Sequence, residues 1–151
     1  MHDFHIYRRK LPHWRAEGAT YFVTWRIHHG QTELTESERT LVVSALWHFN
    51  DSRYRLHAFV VMNDHVHVLT TLKPCLVLES VVRSWKSFTA NRMQKDTARL
   101  GSVWQDEYMD RIIRNEAEFI EKAQYILNNP RKRWPEITEY PWVGHEGETK
   151  S

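Results

Sequence analysis

The sequence predicts an α+β fold: an antiparallel sheet with helices on one face, followed by a further C-terminal helix. Three observations predict it. Segments with a two-residue hydrophobic period alternate with segments of helical period. The second and third strand-like segments are separated only by Asn63-Asp64, which has the turn chemistry of a short connection. The chain has 151 residues, enough for one compact core and too few for two of any size.

The elements follow in order. From Thr20 to His28, Tyr21, Val23, Trp25 and Ile27 point one way while Phe22, Thr24, Arg26 and His28 point the other, the signature of a first strand. Thr35 before Glu36-Ser37-Glu38 starts a helix, with acids in the first turn. Leu41, Val42, Ala45, Leu46 and Phe49 keep helical spacing, and Asn50-Asp51 closes it. Arg55 to Met62 and His65 to Leu72 form the second and third strands. After Pro74 a second helix runs from about Leu76 to Met93, with Val77, Val81, Val82, Trp85 and Phe88 on its apolar side. Gln94 to Ser102 is a loop, and Tyr108 to Ile113 forms a fourth strand. Asn115 with Glu118 three residues on predicts a capping box. The third helix then runs to about Asn129, because Pro130 disfavours a helical predecessor. The order β-α-β-β-α-β, with a helix after it, is the split βαβ arrangement of ferredoxin-like folds. Residues 1–151 form one domain.

Composition narrows the function classes. Hydrophobic residues make up 41% and charged residues 26%, an ordinary globular balance. No apolar run approaches the roughly 20 residues of a membrane helix, and the N-terminus lacks the apolar stretch of a secretory signal. The single Cys75 excludes an intrachain disulfide and a cysteine-based zinc site. A cytoplasmic protein with no membrane contact is expected. The net charge is only +2, but the basic residues cluster. Arg8, Arg9, Lys10 and Arg15 lie near the N-terminus, a second group that includes Lys86 occupies the middle, and Arg131, Lys132 and Arg133 follow the last helix. Each cluster could grip phosphate, or could simply be solvated surface.

Chemistry concentrates in the third strand. Alternation puts His65 and His67 on one sheet face, where two imidazoles can converge on a metal ion, while Val66 and Val68 fill the other. A third ligand must come from elsewhere. On the last helix Tyr125 and Asn129 are four residues apart and share a face. Ile126 and Leu127 take the buried side with Phe119 and Ala123. The Asn129 carbonyl could complete a hard-cation site, and Tyr125 would then stand beside the metal. Structural roles for both are the alternative: Tyr125 a half-buried ring, Asn129 a C-cap. Free phenol ionises at about pH 10, so a tyrosine nucleophile needs help near neutrality. A divalent cation that polarises a phosphate supplies it. Attack would give a covalent phosphotyrosine and conserve the bond for rejoining.

These residues carry a resemblance. Arg9-Lys10-Leu11-Pro12-His13-Trp14, Tyr21-Phe22-Val23-Thr24, His65-Val66-His67, Trp85-Lys86, Trp104-Gln105 and Tyr125-Ile126-Leu127-Asn128-Asn129-Pro130 occur in the order found in the REP-associated tyrosine transposases. Those proteins are relatives of the single-tyrosine insertion-sequence transposases of the HUH endonuclease superfamily, and the chain resembles them from about Tyr7 to Trp142. The resemblance implies cleavage and rejoining of single-stranded hairpin DNA, with Mg²⁺ or Mn²⁺ held by His65, His67 and Asn129 and with Tyr125 as nucleophile, leaving a 3′-hydroxyl. Relatives often place a glutamine one turn after the tyrosine, and Asn128 is the alternative third ligand here. Two imidazoles favour Mn²⁺ on ligand preference. Asn63-Asp64 replaces the usual Pro-Asn or Pro-Glu before the first histidine. Arg8, Arg9, Lys10, Arg15, Lys86, Arg111 and Arg114 are the expected DNA contacts. The family includes monomers and dimers that exchange the tyrosine helix, and a monomer is favoured. Tyr108 and Tyr140 rank behind Tyr125 as nucleophiles. The competing readings are a non-cleaving DNA-binding regulator that keeps the fold, and a metallohydrolase that activates water.

Overall fold

A computed structural model describes residues 11, 12, 14 and 18–147. The expected DNA contacts Arg8, Arg9, Lys10 and Arg15 lie outside the described residues. The strands are β1 (Thr20–Arg26), β2 (Tyr54–Val61), β3 (His65–Leu72), β4 (Met109–Ile113) and β5 (Val143–His145). The helices are α1 (Glu36–His48), α2 (Leu78–Asp96) and α3 (Glu116–Arg133). The sheet runs β4-β1-β3-β2-β5 with every neighbouring pair antiparallel. This is the predicted α+β, split βαβ arrangement, extended by one short strand.

Side-chain alternation divides the sheet into two faces. On one, Val23, Trp25, Phe59, Val66 and Val68 form a core with α1 and α2, through Val42, Leu46, Val82 and Trp85. Trp25 stacks on Trp85, with ring centroids 5.6 Å apart. On the other face Ala58, Val60 and Leu69 meet Phe119, Ala123, Ile126 and Leu127 of α3. The last helix therefore covers the face opposite to the first two. In β2 the pairing register shifts between Leu56 and Ala58. The bulged residue, His57, reverses the phase of the strand: Leu56 joins the α1/α2 core, as do Phe59 and Val61.

Local chemistry explains the helix limits. Thr35 and Glu38 form a reciprocal capping box at the start of α1. Glu38 is buried and also accepts from Arg99 Nε (2.6 Å) and Thr97 Oγ1 (2.7 Å), which ties the α1 start to the end of α2. At α3, Asn115 caps the Glu118 N–H, but the box is not closed. The Glu118 carboxylate turns instead to the Arg111 guanidinium and the Arg114 N–H.

Three expectations are corrected. Helix α3 continues through Pro130 to Arg133, because Pro130 is packed in the interior and Trp134 N–H donates to the Pro130 carbonyl. Tertiary packing here outweighs the preference against a helical residue before proline. Val77 and Phe88 are exposed rather than on the buried side of α2, since the helix begins at Leu78 and is buried through Val81, Val82, Trp85 and Met93. The acidic tail contributes β5, which pairs with β2.

Candidate active site

The site is built on the face that α3 covers. In β3 the alternation that sends Val66 and Val68 into the α1/α2 core projects His65 and His67 to the other side, with ring centroids 4.7 Å apart. Each imidazole is held through Nδ1. His67 Nδ1 lies 2.7 Å from Thr24 Oγ1, its partner across the β1–β3 ladder. His65 Nδ1 lies 2.6 Å from Asp64 Oδ1. Hydroxyl and carboxylate partners of this kind orient metal-binding histidines and fix their tautomer, leaving Nε2 to ligate.

Helix α3 carries the phenol. Its apolar side packs on the sheet through Phe119, Ala123, Ile126 and Leu127, which directs Tyr125 along the edge of that contact. The Tyr125 ring stands 5.2 Å from the His67 ring at 71°, and 6.0 Å from Phe22 at 79°. Phe22 in turn stacks on His67, centroids 5.4 Å apart. The Tyr125 ring therefore stands beside His67 of its own chain, and Tyr125 is 41% exposed. One turn later Asn129 is buried, whereas Asn128 points to solvent. Of the two asparagines, Asn129 is the buried one and stands four residues on from Tyr125.

The electrostatics of His67 suit a cation held by a neutral imidazole. His67 is 4% exposed. Burial, with the charges of His65, Arg26 and Lys122 adding to it, pushes its proton affinity down to about 3. Its ring is therefore neutral near pH 7, the form that ligates metals. Its Nε2 is buried with no hydrogen-bond partner among the described residues. A buried ring nitrogen left without a partner is costly, and in the tautomer that leaves its lone pair free it could bind a divalent cation. Among the described residues no three of His, Cys, Asp and Glu converge as a metal site. A side-chain amide such as that of Asn129 is the kind of oxygen donor that could stand beside two imidazoles.

The structure does not bring every expected residue to this place. Lys86 Nζ donates to the carbonyls of Gln105 (2.7 Å) and Asp106 (3.0 Å), a tie that holds the 102–108 segment against α2. Arg111 is engaged by Glu118 at 2.6 Å. Arg114 is exposed beside it, at the start of α3. Of the rival tyrosines, Tyr140 is buried and its hydroxyl donates to the Val61 carbonyl. Tyr108 packs against the α1/α2 core, on the far side of the sheet from the histidines. Sequence reasoning passed over Phe22, Thr24, Asp64 and Lys122 as site residues. The alternation of β1 held a signal for two of them, since Phe22 and Thr24 share the face that His67 meets.

Residues 20–129 match the family of IS200-like transposases, and the chain belongs to that family. It is a DNA transposase by family. The chain is similar to the REP-associated tyrosine transposase of Escherichia coli (strain K12), at 22% identity over 129 residues covering 83% of this chain and 76% of the relative. A solved structure of a REP-associated tyrosine transposase bound to a REP hairpin is similar at TM-score 0.70 and 21% identity, covering 89% of this chain and 81% of that one. A Deinococcus radiodurans R1 protein described as a transposase matches at TM-score 0.52 and 23% identity, over 79% of this chain and 96% of that one. At these identities the two solved structures speak for the fold. Among the described residues no helix is long and apolar enough to cross a membrane.

Proposed function

We propose that this protein is a divalent-cation-dependent endonuclease and strand transferase for single-stranded hairpin DNA, with Tyr125 as the nucleophile. One observation carries the reading: an exposed tyrosine ring stands 5.2 Å from the ring of a buried histidine whose Nε2 has no partner among the described residues. The hairpin bound by the similar transposase supports the substrate class. His65 and His67 would hold Mg²⁺ or Mn²⁺ through Nε2, with the Asn129 carbonyl as third ligand. The ion, when bound, would polarise the scissile phosphate and offset charge on its non-bridging oxygens.

The protein's own residues do the rest. Phe22 and His67 pack against the Tyr125 ring and fix its approach. The phenolic oxygen bonds to phosphorus and the bond from phosphorus to the 3′ oxygen breaks. The phenol loses its proton to water, and the departing oxygen takes one up to become a 3′-hydroxyl. The 5′-phosphotyrosine keeps the energy of the broken bond, so the same site run in reverse joins a new 3′-hydroxyl. The packing of Tyr125 against His67 of the same chain supports a monomer that is complete in itself.

The test is a denaturing gel after incubation with labelled hairpin DNA and Mn²⁺ or Mg²⁺. A covalent protein–DNA adduct, lost on Tyr125→Phe and suppressed by EDTA, is expected. Cleavage without an adduct would point to water as the nucleophile. Binding without cleavage would point to a regulator that retains the fold.

A further inference from the structure

The stripe that bears Tyr125 and Asn129 also bears two lysines. Lys122, Tyr125, Asn129 and Lys132 follow one another at spacings of three, four and three residues, which keeps all four on one side of α3. Both ammonium groups turn toward the phenol: Lys122 Nζ lies 6.0 Å from the Tyr125 ring centroid and Lys132 Nζ 5.7 Å. Lys122 Nζ also sits 5.0 Å above Phe22. An ammonium within about 6 Å of an aromatic face is attracted by the ring, so the rings hold both cations beside the nucleophile before any substrate arrives. Among the described residues Lys122 has one carboxylate partner, Glu121 at 3.7 Å, and that acid is largely in solvent, so the pair neutralises little. The approach to the phenol therefore carries two positive charges, one from each direction along the helix.

We propose that Lys122 and Lys132 form a phosphate clamp that seats the DNA strand over Tyr125, one lysine on the phosphodiester under attack and the other on a neighbouring phosphate. This rests on the reading of Tyr125 as nucleophile. A flexible stem with three rotatable donors suits the task, because the ammonium can leave the ring for a phosphate oxygen without moving the helix. Neither lysine reads a base, so the clamp acts on any sequence that the rest of the protein delivers. It also explains why the basic residues singled out in the sequence, Lys86 and Arg111, can be spent on internal ties.

Two measurements test it, on Lys122→Gln, Lys132→Gln and the corresponding Lys→Arg variants. The first is the salt dependence of binding to a fluorescent oligothymidine, with no cleavage required. Each glutamine variant should lower the slope of log affinity against log salt by about 0.7, the value for one single-strand phosphate contact, and each arginine variant should restore it. The second is the single-turnover rate of adduct formation on the labelled hairpin, which each glutamine should slow at least about tenfold and arginine should largely rescue. If the wild-type protein forms the adduct and both glutamine variants match it in rate and slope, the clamp is wrong and the role of Tyr125 stands. If the wild-type protein forms no adduct, the nucleophile reading fails and the slope alone decides the clamp, an unchanged slope overturning it.

Discussion

Thr24 Oγ1 and His67 Nδ1 lie 2.7 Å apart across the β1–β3 ladder, and this contact engages Nδ1 while Nε2 has no hydrogen-bond partner among the described residues. In the tautomer whose Nδ1–H donates to the hydroxyl, Nε2 carries the lone pair that a metal needs. Thr24→Val keeps the shape of the side chain and removes the hydroxyl that favours this tautomer. The fold should survive, while Mn²⁺ affinity falls about 10- to 100-fold, the usual effect of losing a partner of a ligating histidine. Calorimetric titration of Mn²⁺ into both proteins checks it, and equal affinities would remove Thr24 from the site.

The three tyrosines separate cleanly. Tyr125→Phe should abolish the covalent adduct with melting behaviour unchanged, because the hydroxyl belongs to an exposed ring. Tyr140→Phe should do the reverse: the adduct persists and stability drops by about 1 kcal/mol, since the Val61 carbonyl loses its donor. Tyr108→Phe should leave the adduct intact. Any other order of effects on the gel would misassign the nucleophile.

Acid stability should depend on Glu38. Burial alone would raise its proton affinity, but bonds from Arg99, the Thr35 N–H and Thr97 overcome that and bring it from 4.5 down to about 2. A carboxylate lowered in the folded state contributes stability that is complete above its unfolded value and fades as pH falls toward the folded one. Glu38→Gln should therefore be clearly less stable than wild type at pH 7, and the gap should close between about pH 4.5 and pH 2. Urea midpoints across that range test this, and a gap that is constant with pH would contradict it.

Trp85→Ala should cost about 3–5 kcal/mol. From α2, Trp85 stacks on Trp25 of β1, and its Nε1 donates to the Tyr54 hydroxyl at 2.9 Å. It lies on the far face of the sheet from Tyr125, so protein that remains folded at low temperature should still form the adduct. Chemical denaturation alongside the gel assay distinguishes the two effects.

Arg111→Ala should weaken binding to single-stranded DNA by no more than about 1 kcal/mol, because its guanidinium is held by Glu118 at 2.6 Å. A larger loss in an anisotropy titration would mean that the pair opens on DNA.

Much of the site could be read from alternation. The β1 and β3 segments separate their two faces residue by residue, so the sharing of one face by His65 and His67, and of the other by Val66 and Val68, was legible before any coordinates. The four-residue spacing of Tyr125 and Asn129 was equally plain. What stayed hidden depended on contacts distant in sequence. A bulge at His57 lies within a run that is apolar on both sides, where a reversed phase leaves no trace in the pattern. Pro130 continues its helix only because the interior receives it. Lys86 looks like a free cation until the loop that it ties is in place. The short β5 has too few residues to announce a period.

Strand β3 serves both sides of the sheet with consecutive residues, valines backward and histidines forward. Insertion or deletion of one residue upstream of His65, if the ladder then re-paired one step over, would exchange the two sets, turning imidazoles into the hydrocarbon interior and valines toward the phenol. Length in this strand is thus under a stricter constraint than identity. Single side chains can be altered one at a time and tolerated or compensated, but a frame error of one position would destroy stability and chemistry together.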